Sequence, residues 1–113
     1  MSKNYVEMTT QIAAQAGEIK KRVPDAMSGF YSMSRAATAD GALDKKTKEL
    51  LALAMGIVQR CDGCIGFHVK ALVSLGMTKD ELAEVLAMAV YMGGGPALMY
   101  AADAMTAYEQ FTA

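Results

Sequence analysis

The sequence predicts an all-α domain of about six helices that associates with copies of itself. Three observations carry this. Apolar residues recur at three- and four-residue spacing in successive segments, no stretch alternates as a half-buried strand would, and capping or breaking residues separate the periodic segments. The 113 residues make one domain, 1–113, with length enough for its own core.

The elements follow in order. Ile12, Ala16, Ile19 and Val23 repeat at helical spacing, and Pro24 stops that helix because it lacks an N–H and clashes with the preceding turn. Asp25 to about Ala39 reads as a weaker helix anchored by Met27, Phe30, Tyr31 and Met33, and Asp40-Gly41 marks a turn. Asp44 can cap the next helix, KKTKELLALAMGIVQR, which is apolar nearly all round after Glu49 and so should be central. A break near Arg60 to Asp62 leads into GCIGFHVKALVSLG, ended by Gly76. Thr78 and Glu81 form a capping-box pattern ahead of LAEVLAMAVYM. Pro96 suits the first turn of a last helix, PALMYAADAMTAYEQF. Between these two lies an 18-residue uncharged run, Val85 to Ala102, but the Gly93-Gly94-Gly95-Pro96 interruption predicts two buried helices rather than one membrane span.

Composition narrows the function classes. Apolar residues make up 53% of the chain, and ten are methionines. A small domain has too much surface to hide them all in a monomer, so the excess predicts an oligomer interface. A net charge of −1 gives no electrostatic footprint for nucleic acid. Lys20-Lys21-Arg22 and Lys45-Lys46 read as solvated helix ends. The opening MSKNYVEMTT lacks the apolar stretch of a signal peptide, so the reducing cytoplasm is the expected compartment. There a close cysteine pair is more often catalytic or metal-binding than a structural staple.

The two cysteines of the chain and its one histidine fall together in CDGCIGFH, residues 61–68. On a helix, Cys61, Cys64 and His68 stand at i, i+3 and i+7, one face. The cysteines lie at the helix N-terminus, where unpaired N–H groups and the helix dipole favour a thiolate. If the preceding helix packs antiparallel, Glu49 lies about 15 Å and His68 about 10 Å below the connection at about 1.5 Å rise per residue. A carboxylate there could hold the imidazole, set its tautomer and relay a proton. Other readings use the same residues. A CxxC with a nearby His can bind zinc, with Glu49 as a fourth ligand, although thiolate zinc sites usually draw on two pairs. Haem attachment needs the His directly after the second Cys, and a thioredoxin-like CxxC needs a βαβ context. Two inert core cysteines, a satisfied core His and a surface Glu49 among Lys45, Lys46 and Lys48 form the plainest alternative.

Glu49, eleven residues, Cys61, two residues, Cys64, three residues, His68 resembles the signature of the AhpD-like alkylhydroperoxidases, within the carboxymuconolactone decarboxylase superfamily. The downstream LGMTKDELAEVLAMAVYMGGGPALMYAADAM is similar to that family too, so the likeness covers about residues 40–107. It implies an all-helical homo-oligomer, a hexamer or alternatively a trimer, that reduces a peroxide through a CxxC dithiol and needs no cofactor or metal. It implies that Cys64 attacks the peroxide and Cys61 resolves, with His68 and Glu49 as proton relay. It also implies a dithiol, lipoyl or thioredoxin-like reductant, and argues against the decarboxylase branch, which generally lacks the cysteine pair. One position departs: well-studied peroxidases of the family carry a His immediately before the second cysteine, and Gly63 stands here. The competing functions are general thiol–disulfide exchange or redox sensing, and a non-enzymatic oligomeric metal-binding protein.

Overall fold

The computed structural model describes residues 3–113, and among them every regular element is a helix. They are α1 (Tyr5–Arg22), α2 (Pro24–Thr38), α3 (Lys45–Val58), α4 (Asp62–Ser74) and α5 (Lys79–Thr112). The expected sixth helix is the second limb of α5. Gly94 sits at φ 72°, ψ −154°, a backbone region that essentially only glycine occupies, and the helix turns a corner there. Pro96 falls just past the corner, in the first turn of the new limb, where its missing N–H leaves nothing unpaired.

Local chemistry sets the other ends. Asp44 caps α3 by accepting from the Thr47 N–H. Thr78 and Glu81 form the full reciprocal capping box at the start of α5. Pro24 closes α1 and opens α2, and Lys20, Lys21 and Arg22 occupy the last turn of α1, where cations suit the helix dipole. Arg60 takes a left-handed φ of 60° in the short link from α3 to α4, and Gly76 takes φ 82° after α4.

The core lies where α3, α4 and α5 pack on one another. Leu53 and Ile57 of α3, Ile65, Val69 and Leu72 of α4, and Leu82 of α5 are completely shielded from solvent. Each such side chain contributes about 1.5–3 kcal/mol relative to leaving it exposed. Beyond the corner, α5 presents Ala97, Ala101, Ala104 and Ala107 inward, small residues that allow close helix approach. Helix α1 lies across α4 and α5 through Tyr5 and Thr9, while α2 leans mainly on α1.

Four expectations need correcting. The buried stripe of α1 is Tyr5 and Thr9, not Ile12, Ile19 and Val23, which are exposed within one chain. Helix α2 buries none of its side chains, so its expected anchors Phe30 and Met33 stand open. The helix of α3 is central on one side only, since Leu51, Met55 and Val58 face outward. Likewise α5 contains a window of mean hydropathy 1.4, long enough by composition to cross a bilayer, and only 22% of it is buried within the chain. Tyr91, Met92, Leu98 and Met99 are its exposed apolar residues around the corner.

Candidate redox site

Cys61 is the N-cap of α4. Its sulfur accepts the Cys64 N–H at 3.2 Å, and its own N–H donates to the Gly56 carbonyl at 2.9 Å. Cys61 and Cys64 form a disulfide, with Cα atoms 5.2 Å apart, inside the ordinary span for such a bridge. Both residues are half-buried. Helix α3 presses against the pair: a Cβ on Gly56 would come 2.9 Å from the Cys64 Cβ. Glycine at 56 is therefore what lets α3 run this close to the second cysteine.

The same approach brings Glu49 to His68. Nδ1 of His68 lies 2.6 Å from Oε2 of Glu49, across the α3–α4 pair. The Glu49 side chain is only 8% exposed and that of His68 29%. A carboxylate at Nδ1 holds the proton on that nitrogen and leaves Nε2 free to accept or deliver another. The four residues singled out from spacing are thus neighbours in the fold. Among the described residues no cluster of three or more His, Cys, Asp or Glu has the arrangement to hold a metal ion.

A second polar group surrounds the residue between the cysteines and was not legible from the motif. Asp62 receives Lys3 Nζ at 2.9 and 3.1 Å and the Tyr5 hydroxyl at 3.0 Å, and Lys3 also reaches Asp103 at 2.8 Å. Asp103 and then Asp62 raise the Lys3 ammonium to about 12. Burial, and then the bond to Asp62, push the Tyr5 phenol upward. Gln110 clasps the same segment, accepting the Tyr5 N–H and donating to the Lys3 carbonyl, both at 2.7 Å. The partners lie 57 to 107 positions apart, so no local pattern announces them.

Beside the disulfide opens a cavity of about 640 Å³, into which Cys61, Cys64, Phe67 and His68 all face. Its far wall comes from α1 and α2, including Ile12, Phe30 and Tyr31. Spacing within each helix marked these as apolar but could not say that they would border a site on α4.

Fold and site together define a class: an all-helical dithiol protein in which a CxxC pair at a helix start shares a cavity with a carboxylate-held histidine. The Carboxymuconolactone decarboxylase family matches residues 24–107, and the chain belongs to it. A carboxymuconolactone decarboxylase family protein of Legionella pneumophila, solved in its apo form, superimposes with a TM-score of 0.96 at 53% identity, covering 99% of this chain and 100% of that one. An uncharacterised protein of Cupriavidus necator is 40% identical over 92% of both chains. The similarity extends to the alkyl hydroperoxide reductase AhpD of Coxiella burnetii, at 32% identity over 50% of this chain and 32% of that protein.

Proposed function

We propose that the protein is a thiol-dependent peroxidase of the AhpD type, cycling Cys61 and Cys64 between dithiol and disulfide. The observation that carries the reading is the Glu49–His68 hydrogen bond set beside the Cys61–Cys64 bridge at one cavity. Similarity to AhpD supports it. The Cys64 thiolate attacks the terminal oxygen of a hydroperoxide. The O–O bond breaks, Cys64 becomes a sulfenic acid, and the departing alkoxide takes a proton from Nε2 of His68, leaving an alcohol. The Cys61 thiol then attacks the Cys64 sulfur, forms the disulfide and expels water. A dithiol reductant attacks Cys64 in turn. Cys61 leaves as a thiolate, which the Cys64 N–H now capping its sulfur would stabilise. A second thiol of the reductant releases Cys64 and carries away the disulfide. Hydroperoxide plus dithiol become alcohol, water and the oxidised reductant.

Glu49 orients His68 and steadies its charge through the cycle. General acid–base assistance of this kind is worth about 10²–10⁴-fold. His68→Ala and Glu49→Gln should therefore slow peroxide-driven disulfide formation at neutral pH with the helical spectrum intact. Peroxide treatment that leaves two alkylatable thiols, read by mass spectrometry, would remove the reading. The order of the cysteines has its own test: Cys61→Ser should stop at a trappable sulfenic acid on Cys64, and trapping on Cys61 in Cys64→Ser instead would invert it.

General disulfide exchange with a dithiol or lipoyl partner is the second reading. Gly63 favours it, since no second imidazole stands before Cys64 to serve as proton donor. Reduction of the disulfide by dihydrolipoamide without peroxide turnover would select it. We also propose a cytoplasmic homo-oligomer, a hexamer or alternatively a trimer. The outward Leu51, Met55, Tyr91, Met92, Leu98 and Met99 support association. Light scattering should return a multiple of 12.0 kDa, and a 12.0 kDa particle at micromolar concentration would exclude it.

A further inference from the structure

We infer that Ile12, Phe30 and Tyr31, on the α1–α2 arm, are specificity-determining residues that select an oxidant with a bulky, uncharged aryl or branched alkyl body. The inference rests on the peroxidase reading for the chemistry at sulfur, and on the cavity alone for the body.

The first argument is size. Hydrogen peroxide needs only the sulfur and one proton donor, yet about 640 Å³ of space adjoins them, within the range of cavities that enclose whole organic ligands. The second is charge. Among the described residues no Lys, Arg, Asp or Glu borders the cavity, and His68 supplies an imidazole to it. An anionic body would lose hydration there, and the cations nearest it are already engaged, His68 with Glu49 and the Lys20 ammonium over the Tyr31 ring, 5.7 Å from its centroid. The third is placement. Helix α2 buries none of its side chains, so the apolar character of Phe30 and Tyr31 serves no core of this chain. Their rings instead meet edge to face, centroids 5.6 Å apart, at the cavity wall. Ile12 closes the wall on the cysteine helix: a Cβ on Gly63 would lie 3.1 Å from its Cδ1. The methyl end of Ile12 therefore takes the space that a side chain immediately before Cys64 would claim. Helix α1 precedes the family-matched residues 24–107, so this wall is partly built by a segment outside that match.

The product alcohol of a suitable substrate is an unreactive probe of the cavity. Cumyl alcohol, titrated into the disulfide form and followed by NMR, should shift the Phe30, Tyr31 and Ile12 resonances. It should bind at least about tenfold more tightly than 2-phenylpropanoate, a carboxylate of similar size. Phe30→Ala and Ile12→Ala should each weaken it by about tenfold, and Ser34→Lys should bring the carboxylate in. Circular dichroism checks that each variant is folded, and α2 has no buried side chain to lose. In stopped flow, cumene hydroperoxide should oxidise the reduced dithiol at least about tenfold faster than hydrogen peroxide does, a ratio that Phe30→Ala lowers. Equal binding of alcohol and carboxylate, or a rate ratio at or below one that Phe30→Ala leaves alone, overturns the inference. If neither peroxide oxidises the dithiol while the alcohol binds with the stated selectivity, the peroxidase reading falls and the cavity assignment stands.

Discussion

The α3–α4–α5 core and the α1–α2 arm were built from similar sequence material and put it to different use. Both show apolar residues at helical spacing. In the core, Leu53, Ile57, Ile65, Val69, Leu72 and Leu82 are wholly enclosed, whereas in α2 no side chain is. Burial, not apolar content, fixes how much a residue stabilises the chain. The core positions hold the fold and, through Gly56, the approach of α3 to Cys64. The arm positions remain free to form the wall of the cavity.

The sharpest way to break this contrast is truncation. Leu72→Ala should cost about 2–5 kcal/mol in denaturant unfolding, while Met33→Ala on α2, 62% exposed, should stay within about 0.5 kcal/mol. Equal losses at low protein concentration would show the arm to be as much a part of the core as α4. Glycine gives the next test. A Cβ on Gly66 would meet the Thr9 Cγ2 at 2.7 Å and the Tyr5 Cδ1 at 3.2 Å, at the seam where α1 meets α4. Gly66→Ala should cost about 1–3 kcal/mol. Gly17→Ala, on the free half of α1 with nothing within 4 Å, should be neutral or stabilise by up to about 1 kcal/mol.

The seam also has a pH signature. Burial and Asp62 raise the Tyr5 phenol, so the folded chain keeps a proton that the unfolded chain releases near its ordinary value of 10.0. Stability from this group is complete below that value and is lost as pH climbs above it. Lys3 acts in the same direction, its contribution full below 10.5 and lost as pH rises through about 12. Tyrosinate absorbance of wild type and Tyr5→Phe should coincide until the fold gives way. At neutral pH Tyr5→Phe should cost about 1 kcal/mol through the lost bond to Asp62. An early extra tyrosinate in the wild type would show the seam to be loose. Helix caps give the smallest contrast. Thr78→Ala should cost about 1 kcal/mol, whereas Val23→Ser, at an α2 start with no side-chain cap, should gain a few tenths (~0.3–0.5 kcal/mol). Glu81 sharpens the acid side: the Thr78 N–H, then Lys46, lower its carboxyl. Its support is present above the ordinary carboxylate range and lost as pH falls, and Glu81→Gln should flatten that acid slope.

Legibility in the sequence followed the range of the interaction. Pro24, Asp44, the Thr78–Glu81 pair and Gly76 act within a turn or two, so helix ends could be read from neighbours. Cys61, Cys64 and His68 could be placed on one face by the helical period, and Glu49 by matching distances along two antiparallel helices. Which apolar stripe would be enclosed could not be read. Ile12–Ala16–Ile19–Val23 is as periodic as any core stripe, but the residues enclosed against α4 were Tyr5 and Thr9, where Gly66 offered room, while Ile12 only borders Gly63 and stays exposed. The glycine run 93–95 announced a break without saying that Gly94 alone would leave helical geometry. The clamp around Asp62 joins charges that only the finished fold brings together.

That clamp bears on the order in which the molecule assembles. Lys3 meets Asp103 across 100 positions and Gln110 across 107, whereas Cys61 and Cys64 are three apart and Glu49 and His68 nineteen. Closing a long loop costs more entropy than closing a short one, and distant contacts are rewarded late in folding. The α3–α4 hairpin can therefore acquire its sulfur pair and its imidazole while α1 is still searching for its seat. Such a route sets the sulfur pair and its imidazole in place first and the α1 wall of the cavity last. A chain caught before Lys3 and Gln110 meet would hold the Cys61–Cys64 pair without the cavity wall that α1 carries.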